Sequence, residues 1–517
     1  MKTTAKMEKT EVRWGALVPA CAITAGFIAL GFTDEETLGE SLKAALEWVS
    51  SYFGAFFLLF SLFIILITLG ISFTRFGDIR LGGENARPDY SRTTWFVVAL
   101  NGCIGTGILF WAMGEPIFHF AAPPAGAAAL PFTREAAIFA VSQTMIHWTV
   151  GQYAMYSLAG LVIGILAYNF GRHLSITSFL TDLLPPKLYR FAATLIHGTS
   201  LCCIAGAVSC SLGVGLLQIA SGLEHLAIVG SSASTWLLID LVLGGVFLTS
   251  SLLGIRRGLS WISRICTAIF IFLMLWVLAL GPTRFIADLG VTSFGMFLND
   301  FIEHSLILPV MTPGETWSRD WNIQFTASFF VYAPVLGLFL ARLARGRTVR
   351  EFVWMNIVAP SVFCILWIAV WAGMTIEAQW TGALDIWKYV NERGMESTIF
   401  SLFTLLPASR FLTVIFCCAV FFSLATMCDA ITGTMAILSS KNLTVEDHPP
   451  RSLKIFWGCA IAASAYILIA SGGIVSVRSL FAIIGIPTAT LLILYLWFLL
   501  AQRTRLAQSP VDALKAH

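Results

Sequence analysis

The chain has 517 residues and a formal net charge of +3; 57% of its residues are hydrophobic and only 12% are charged. A typical soluble domain is about 25% charged, so these values exclude an ordinary soluble enzyme. No clustered basic face of the kind that binds nucleic acid is visible. The eleven Cys are scattered through apolar stretches without ligand spacing, so we expect neither a zinc site nor a disulfide framework. We expect no cofactor and no nucleic-acid partner.

Twelve apolar stretches along the chain are long enough to cross a membrane, which takes about 20 residues in a helix. They lie near 15–32, 52–74, 94–120, 135–168, 190–222, 234–255, 260–282, 320–341, 352–374, 407–438, 455–473 and 478–501. The sequence therefore predicts an all-α integral membrane protein with 12 transmembrane helices, solvated by the lipid bilayer.

The positive charges support this count of spans. With the N-terminus inside, alternate loops place most of the 32 Lys and Arg on the inner side, as the positive-inside rule requires. We therefore expect both termini in the cytoplasm of a bacterial cell, with the chain in the inner membrane. Two outer segments are long: 294–308 is predicted to form an interfacial helix, and 375–408 is expected to hold a short helix.

The third predicted span contains an unusual glycine-rich stretch. Gly102, Gly105 and Gly107 fall within a few residues, and each costs about 1 kcal/mol relative to Ala in a helix. The backbone is therefore expected to leave the helix here, which membranes tolerate where the chain is buried or lines a cavity. Transporters build their binding sites from such broken helices. The alternative is close helix packing through small residues.

The fourth and tenth predicted spans hold polar groups at membrane depth. Trp148 and Tyr156 lie eight residues apart on one helix face, with Gln152 between them and Tyr153 beside them. Aromatic faces attract ammonium groups with about 0.5–2 kcal/mol per contact; the alternative is an interfacial aromatic belt. Asp429 is an ionisable group within an apolar run, and such groups are functional or paired. A structural hub or a position at the cytoplasmic end is the alternative for Asp429.

Six motifs in order along the chain resemble those of the betaine/choline/carnitine transporter family, of which this chain looks like a divergent member. They are Gly114-Glu115-Pro116, His147-Trp148 with Tyr156, the run 211–218, Gly281-Pro282-Thr283, Trp321-Asn322-Ile323, and the segment 339–351. The resemblance implies a secondary active transporter of a small zwitterionic or ammonium-type solute that works by alternating access. It also implies a homotrimer.

The fold implied by this resemblance is the leucine-transporter-like 5+5 inverted repeat with two extra N-terminal helices. The expected parts of the chain are a cytoplasmic tail (1–14), two accessory helices and a loop (15–93), repeat 1 (94–282), an outer linker with the interfacial helix (283–319), repeat 2 (320–501) and a short cytoplasmic tail (502–517).

The substrate site implied by the resemblance is only partly aromatic in this chain. Ser328 replaces the central cage Trp of the family, and Tyr332 replaces a later one. The predicted substrate-binding residues are Trp148, Tyr153, Tyr156, Gln324, Ser328, Phe329, Tyr332, Gly105 and Gly107. Because aromatic faces are lost and polar side chains are gained, we expect a smaller or more polar zwitterion than a simple betaine.

The resemblance also bears on the driving ion. Sodium-coupled members of the family have adjacent hydroxyl ligands in the tenth span, where this chain has Thr426 and Met427. A thioether is a poor ligand for a hard cation, so we predict a vestigial sodium site and sodium-independent transport. Arg264 is a candidate for the fixed cation of sodium-independent relatives, or simply an inside-loop charge. Asp429 is the first candidate for a proton-linked group.

Two alternatives to this interpretation stay open. The first is a sodium-coupled symporter of a betaine-type compatible solute. The second belongs to another class, a membrane sensor or channel on the same fold, which we expect to carry a sizeable cytosolic domain. The tail after Leu500 runs only from Ala501 to His517, and no cluster of ionisable side chains typical of a membrane enzyme is visible.

Overall fold

A computed structural model describes residues 11–33, 35–105, 107–470 and 474–508. These residues form helices and loops without any named strand, and isolated bridges join Val12 to Ser440 and Arg80 to Thr348. The helices are α1 (Trp14–Thr33), α2 (Glu35–Ile71), α3 (Arg92–Ile104), α4 (Gly107–Ala121), α5 (Arg134–His147), α6 (Val150–Tyr168), α7 (Pro186–His225), α8 (Ala233–Leu253), α9 (Ser260–Leu280), α10 (Thr283–Ser305), α11 (Gln324–Leu343), α12 (Val349–Val353), α13 (Ala359–Trp380), α14 (Ile386–Arg393), α15 (Met395–Phe403), α16 (Ser409–Leu438), α17 (Arg451–Ala470) and α18 (Ile474–Gln508).

Hydroxyl side chains define the start of several helices. Ser91, Thr133 and Ser232 each accept a hydrogen bond from a backbone N–H in the first turn that follows. Thr348 forms a full capping box with Glu351 at the start of α12. These caps satisfy N–H groups that have no partner inside the helix, and they fix where the chain turns from a loop into a span.

The predicted spans coincide with helices of the structure. Eleven helices within the described residues are long and apolar enough to cross a membrane, or twelve when the bent pair α3 and α4 is counted as one span. The set of eleven includes α10, whereas the sequence predicted only an interfacial helix within 294–308. Helix α1 is outside the set, because its described apolar part, Trp14–Leu30, is shorter than a span requires. The outer segment 375–408 contains two short helices, α14 and α15, as expected.

Two neighbouring spans are broken at points that lie beside each other, since Gly107 packs against Trp148. The axes of α3 and α4 differ by 56°, and the break follows Gly105, whose φ of +55° suits glycine. The carbonyl oxygen of Gly105 accepts a hydrogen bond of 2.6 Å from the Ser423 hydroxyl on α16. In the next span, Trp148 and Thr149 leave helical geometry between α5 and α6. The breaks free backbone and side chains of both spans to face an internal space.

Candidate functional site

The internal space is a cavity of about 470 Å³ enclosed by the broken spans and by α7, α11 and α16. Its size suits a small organic solute. The lining residues are Gly102, Cys103, Ile104, Gly107, Phe110, Trp111, Trp148, Gln152, Tyr156, Cys210, Ser211, Val214, Leu217, Trp236, Gln324, Phe325, Ser328, Phe329, Tyr332, Leu336, Glu396, Met427, Ile431 and Ile469.

Aromatic rings form one wall of this cavity. The Trp148 ring packs edge-on against Phe325 and Phe329, at centroid distances of 5.0 and 5.8 Å. Phe325 and Phe329 stack on each other, and Tyr156 meets Phe329 at 6.5 Å. Because these rings pack against one another, their π-faces are held in fixed orientations, and such faces attract a cationic head group through the ring quadrupole.

Polar atoms interrupt the aromatic wall. The Gln152 side chain lines the cavity and lies in the first turn of α6, just after the break at Trp148 and Thr149. Its Oε1 is buried without a hydrogen-bond partner, while its Nε2 lies 3.4 Å from the Cys103 carbonyl. A buried polar atom without a partner is costly, so Gln152 Oε1 is an unsatisfied acceptor in a residue that lines the cavity.

The structure brings most of the predicted substrate-binding residues together. Those that line the cavity are Trp148, Tyr156, Gln324, Ser328, Phe329, Tyr332 and Gly107. Tyr153 does not line it, because its ring points away and its hydroxyl lies 3.3 Å from Cys364 Sγ. Gly105 lies behind Met427, where a Cβ would come within 2.4 Å of the Met427 sulfur. Placement therefore supports a contact role for seven of the nine residues, and an indirect one for Gly105.

The predicted vestigial sodium site is filled by side-chain and backbone contacts. The Thr426 hydroxyl donates to the Phe422 carbonyl at 2.7 Å, and the Met427 thioether packs on Gly105. The Gly105 carbonyl is already hydrogen-bonded by Ser423. Both hydroxyls thus donate their protons within the protein, and a soft sulfur atom occupies the space beside Gly105.

The two predicted coupling residues lie away from the cavity. Arg264 is exposed and donates a 2.8 Å hydrogen bond to Thr94, in the first turn of α3. That turn is about 16 Å along the helix from Gly105, at 1.5 Å per residue, so Arg264 does not reach the vestigial sodium site and fits the alternative of an inside-loop charge. Asp429 is buried and accepts a hydrogen bond from Ser250.

Asp429 faces a second cavity of about 580 Å³, with Arg342 and Lys454 among its lining residues. Met427 and Ile431 on the same helix face the first cavity. Helix α16 therefore forms a wall shared by two cavities, and Asp429 lies on the opposite side of that wall from the aromatic rings.

A buried cluster beside the first cavity was not predicted from the sequence. Glu115 accepts a 2.7 Å hydrogen bond from Trp148 Nε1 and contacts the rings of His119 and His147. The sequence holds a signal for it, since Glu115 and His119 are four residues apart in an apolar helix and therefore share a face. Ligand atoms of these three ionisable residues lie within 4.8 Å of one another, a spacing that could hold a metal ion.

The broken spans, the aromatic cavity and the helix count define a polytopic membrane transporter of small solutes. A family model described as "BCCT, betaine/carnitine/choline family transporter" matches residues 16–508. The chain belongs to this betaine/carnitine/choline transporter family, whose members are transporters and not enzymes. The family resemblance and the all-α membrane fold predicted from the sequence are confirmed.

Two relatives match over most of their length. An ectoine/hydroxyectoine transporter of Virgibacillus pantothenticus is 29% identical over 468 residues, which cover 90% of this chain and 92% of the relative. An osmo-independent choline transporter of Acinetobacter baylyi is 26% identical over 478 residues, with 91% and 90% covered. A solved structure of a Na⁺-coupled sialic acid symporter, in a substrate-bound outward-open state, is 13% identical, with a TM-score of 0.44 and coverage of 92% and 86%.

Proposed function

We propose that the solute is a small zwitterion whose cationic group carries at least one N–H, and that its transport does not require sodium. The observation that supports the first part is that Trp148 and Gln152 line the same cavity and that Gln152 Oε1 has no hydrogen-bond partner. A trimethylammonium group has no N–H to offer, so it would leave this oxygen without a partner. Ectoine-type and betaine-type solutes, which the relatives' names include, are the first compounds to compare.

The second part rests on the tenth span. Sodium needs several convergent oxygen ligands, and Met427 stands beside Thr426 where the resemblance to sodium-coupled members of the family implies a second hydroxyl ligand. The Met427 sulfur takes the space that an ion would need. Exchange or proton coupling is then the source of the driving force. The sodium-coupled symporter of a betaine-type solute is the alternative that the experiment below separates.

Initial uptake of labelled ectoine, glycine betaine and choline into proteoliposomes tests both parts. The measurement is made at fixed pH with sodium, and again with sodium replaced by potassium. We expect saturable uptake of the N–H-bearing solute in both buffers. Gln152→Met should weaken the apparent affinity for that solute and leave a trimethylammonium solute nearly unaffected. A saturable sodium requirement, or equal losses for both kinds of solute, would contradict the proposal.

Further parts of the proposal concern placement in the cell. Both termini face the cytoplasm of a bacterial inner membrane, and the chain assembles as a homotrimer. The functional units are 94–282 and 320–501, with 15–93 as accessory helices and 283–319 as an outer linker that contains α10. Labelling of single cysteines placed in the loops tests the orientation, and light scattering of the purified protein in detergent tests the trimer.

A further inference from the structure

We propose that Glu115 and His147 form a proton-binding site that couples proton entry to solute uptake through Trp148. This inference rests on the proposed function, and it names the coupling ion and its site. The three residues come from two different spans, α4 and the break between α5 and α6. Each is buried, and Trp148 alone of the three lines the solute cavity.

Hydrogen bonds fix the protonation of His119, the nearest neighbour of the pair. Trp317 Nε1 donates to His119 Nδ1 at 3.1 Å, so this nitrogen carries a lone pair and no proton. The proton of the neutral ring therefore lies on Nε2, which donates to Glu115 Oε1 at 3.1 Å. His119 is satisfied as a neutral ring and has no need to change its proton during transport.

His147 is different because its outer nitrogen has two kinds of partner. His147 Nε2 lies 2.6 Å from Asn322 Oδ1 and 3.0 Å from Gln143 Nε2. The Asn322 amide is oriented by its Nδ2, which donates to the His304 carbonyl at 3.1 Å. An acceptor and a donor therefore flank the same ring nitrogen. When protonated, it donates to Asn322; when deprotonated, it accepts from Gln143.

The other ring nitrogen faces the carboxylate. His147 Nδ1 lies 2.5 Å from Glu115 Oε1, and the contact is buried at both ends. With two protons on His147, the ring and the carboxylate form a neutral ion pair. With one proton, Glu115 is a buried anion that accepts hydrogen bonds from three N–H groups but has no cation to neutralise it, which is unfavourable in a low-dielectric interior. The pair therefore stores one exchangeable proton that neutralises it.

The proton also affects how the cavity wall is held. Protonated His147 links Glu115 on α4 to Asn322 at the start of the span that contains α11. Glu115 in turn holds the Trp148 indole through its Oε2. The protonated state therefore draws three cavity-forming spans together around the aromatic wall. Because solute contacts the same Trp148 ring, occupancy by the proton and by the solute favours the same arrangement, which is symport.

The other ionisable groups around Glu115 and His147 are His304, Glu396 and Arg319. His304 on α10 reaches the cluster through its carbonyl, and its buried Nδ1 has no partner among the described residues. Glu396 on α15 lines the cavity. Arg319, before α11, pairs with Asp320 and Glu47. Among the described residues, Glu115 hydrogen-bonds only to His119, His147 and Trp148, so His147 is the cation that can neutralise it.

A metal ion would require the existing hydrogen bonds to break. Both nitrogens of His119 and both oxygens of Glu115 already have protein partners. Trp317 and Trp148 supply N–H donors, which cannot ligate a cation. This arrangement of hydrogen-bond donors therefore suits a site that binds protons and not one that binds a metal ion. Addition of a chelator, or of zinc, is included in the test for this reason.

The test uses proteoliposomes with an internal pH dye and a clamped membrane potential. With the outside acidic by one pH unit, a neutral zwitterion carried with one proton should accumulate about tenfold. Each solute entering brings one proton from the outer water to the inner water, so the lumen acidifies in step with uptake. Glu115→Gln removes the carboxylate that stabilises the second proton on His147 but keeps the side-chain shape. It should abolish the accumulation and acidification while solute counterflow continues.

Asp240→Asn is the matched control, since Asp240 is a buried carboxylate in α8 that lines neither cavity. It should keep proton-driven accumulation. Trp148→Phe keeps an aromatic face but removes the N–H that stabilises the Glu115 anion, so the pH midpoint of uptake should move to higher pH. A merely structural role for Glu115 would leave that midpoint unchanged, and this readout stands even if Glu115→Gln does not fold.

Specific results would overturn the proposal without touching the proposed function. They are saturable sodium-independent uptake without proton movement, proton movement opposite to the solute, accumulation retained in Glu115→Gln, accumulation lost in Asp429→Asn but kept in Glu115→Gln, or transport abolished by a chelator. Absence of saturable uptake of every solute in the wild type would instead sink the proposed function itself.

Discussion

Replacing Gly107 by Ala introduces a methyl group into the space occupied by the Trp148 ring. An ideal Cβ at Gly107 would lie 2.4 Å from Trp148 Cζ3 and 2.8 Å from Cη2. Ordinary van der Waals contact begins near 3.4 Å, so the indole has to retreat by about 1 Å. Phe325 and Phe329 stand against the ring, so there is little room for the retreat.

The retreat also affects the hydrogen bond behind the ring. Trp148 Nε1 lies 2.7 Å from Glu115 Oε2, and a displacement of this size weakens or breaks the bond. A hydrogen bond to a charged group contributes about 1.5–3 kcal/mol. We therefore expect Gly107→Ala to raise the apparent KM for solute by roughly 10- to 100-fold. Helix propensity alone would act in the opposite direction, since Ala is favoured over Gly by about 1 kcal/mol.

The assay is initial uptake in proteoliposomes, with thermal unfolding of the purified variant as a check on folding. Gly151→Ala is the matched control, because its Cβ would meet only Ile65 at 3.7 Å and Ser61 at 3.9 Å. The control should transport as the wild type does. If Gly107→Ala kept the wild-type KM with an unchanged melting temperature, the position assigned to Trp148 in the binding site would be wrong.

Three further substitutions test the lining of the cavity. Trp148→Ala removes a desolvated aromatic face worth about 2 kcal/mol and should weaken apparent affinity about thirtyfold; an unchanged KM in a folded protein would refute this role. Ser328→Trp should shift preference in competition assays towards trimethylammonium solutes, because it rebuilds a wall of the cage, and a proportional loss for all solutes would count against that reason. Met427→Ser should create or strengthen a dependence of the uptake rate on sodium, measured by titrating sodium against potassium, and indifference to sodium would show that the other oxygens do not converge.

The spans could be predicted from the sequence because a helix surrounded by lipid needs about 20 consecutive, mostly apolar residues. The run 135–168 was read as one helix, and its aromatic and polar residues were correctly placed on one face. The break at Trp148 and Thr149 was not predicted, since neither Gly nor Pro marks it. The break in the third span was predicted, because Gly105 and its neighbours weaken the helix there.

Side-chain direction was the main limit on predicting the site. Tyr153 follows Gln152 in the chain, yet it points to Cys364 on a neighbouring helix. A sequence pattern fixes a residue's position on a helix but not which neighbour that face meets. For the same reason the sequence predicted Asp429 as a proton-linked candidate by its type alone, and could not show that Glu115 and His147, 32 positions apart, are in contact.

The shared wall formed by α16 has a consequence for the kinds of change this helix tolerates. A helix turns about 100° per residue, so Met427 and Ile431 lie on one face of α16 while Asp429 and Gly433 lie on the opposite face. A survey of all single substitutions in α16 should therefore show two periodic patterns. The face with Met427 and Ile431 should not tolerate an added charge, and the opposite face should not tolerate the loss of the Asp429 charge. Inserting one residue before Met427 would rotate everything beyond it by about 100° and turn both faces away from their cavities together, which no single replacement could repair.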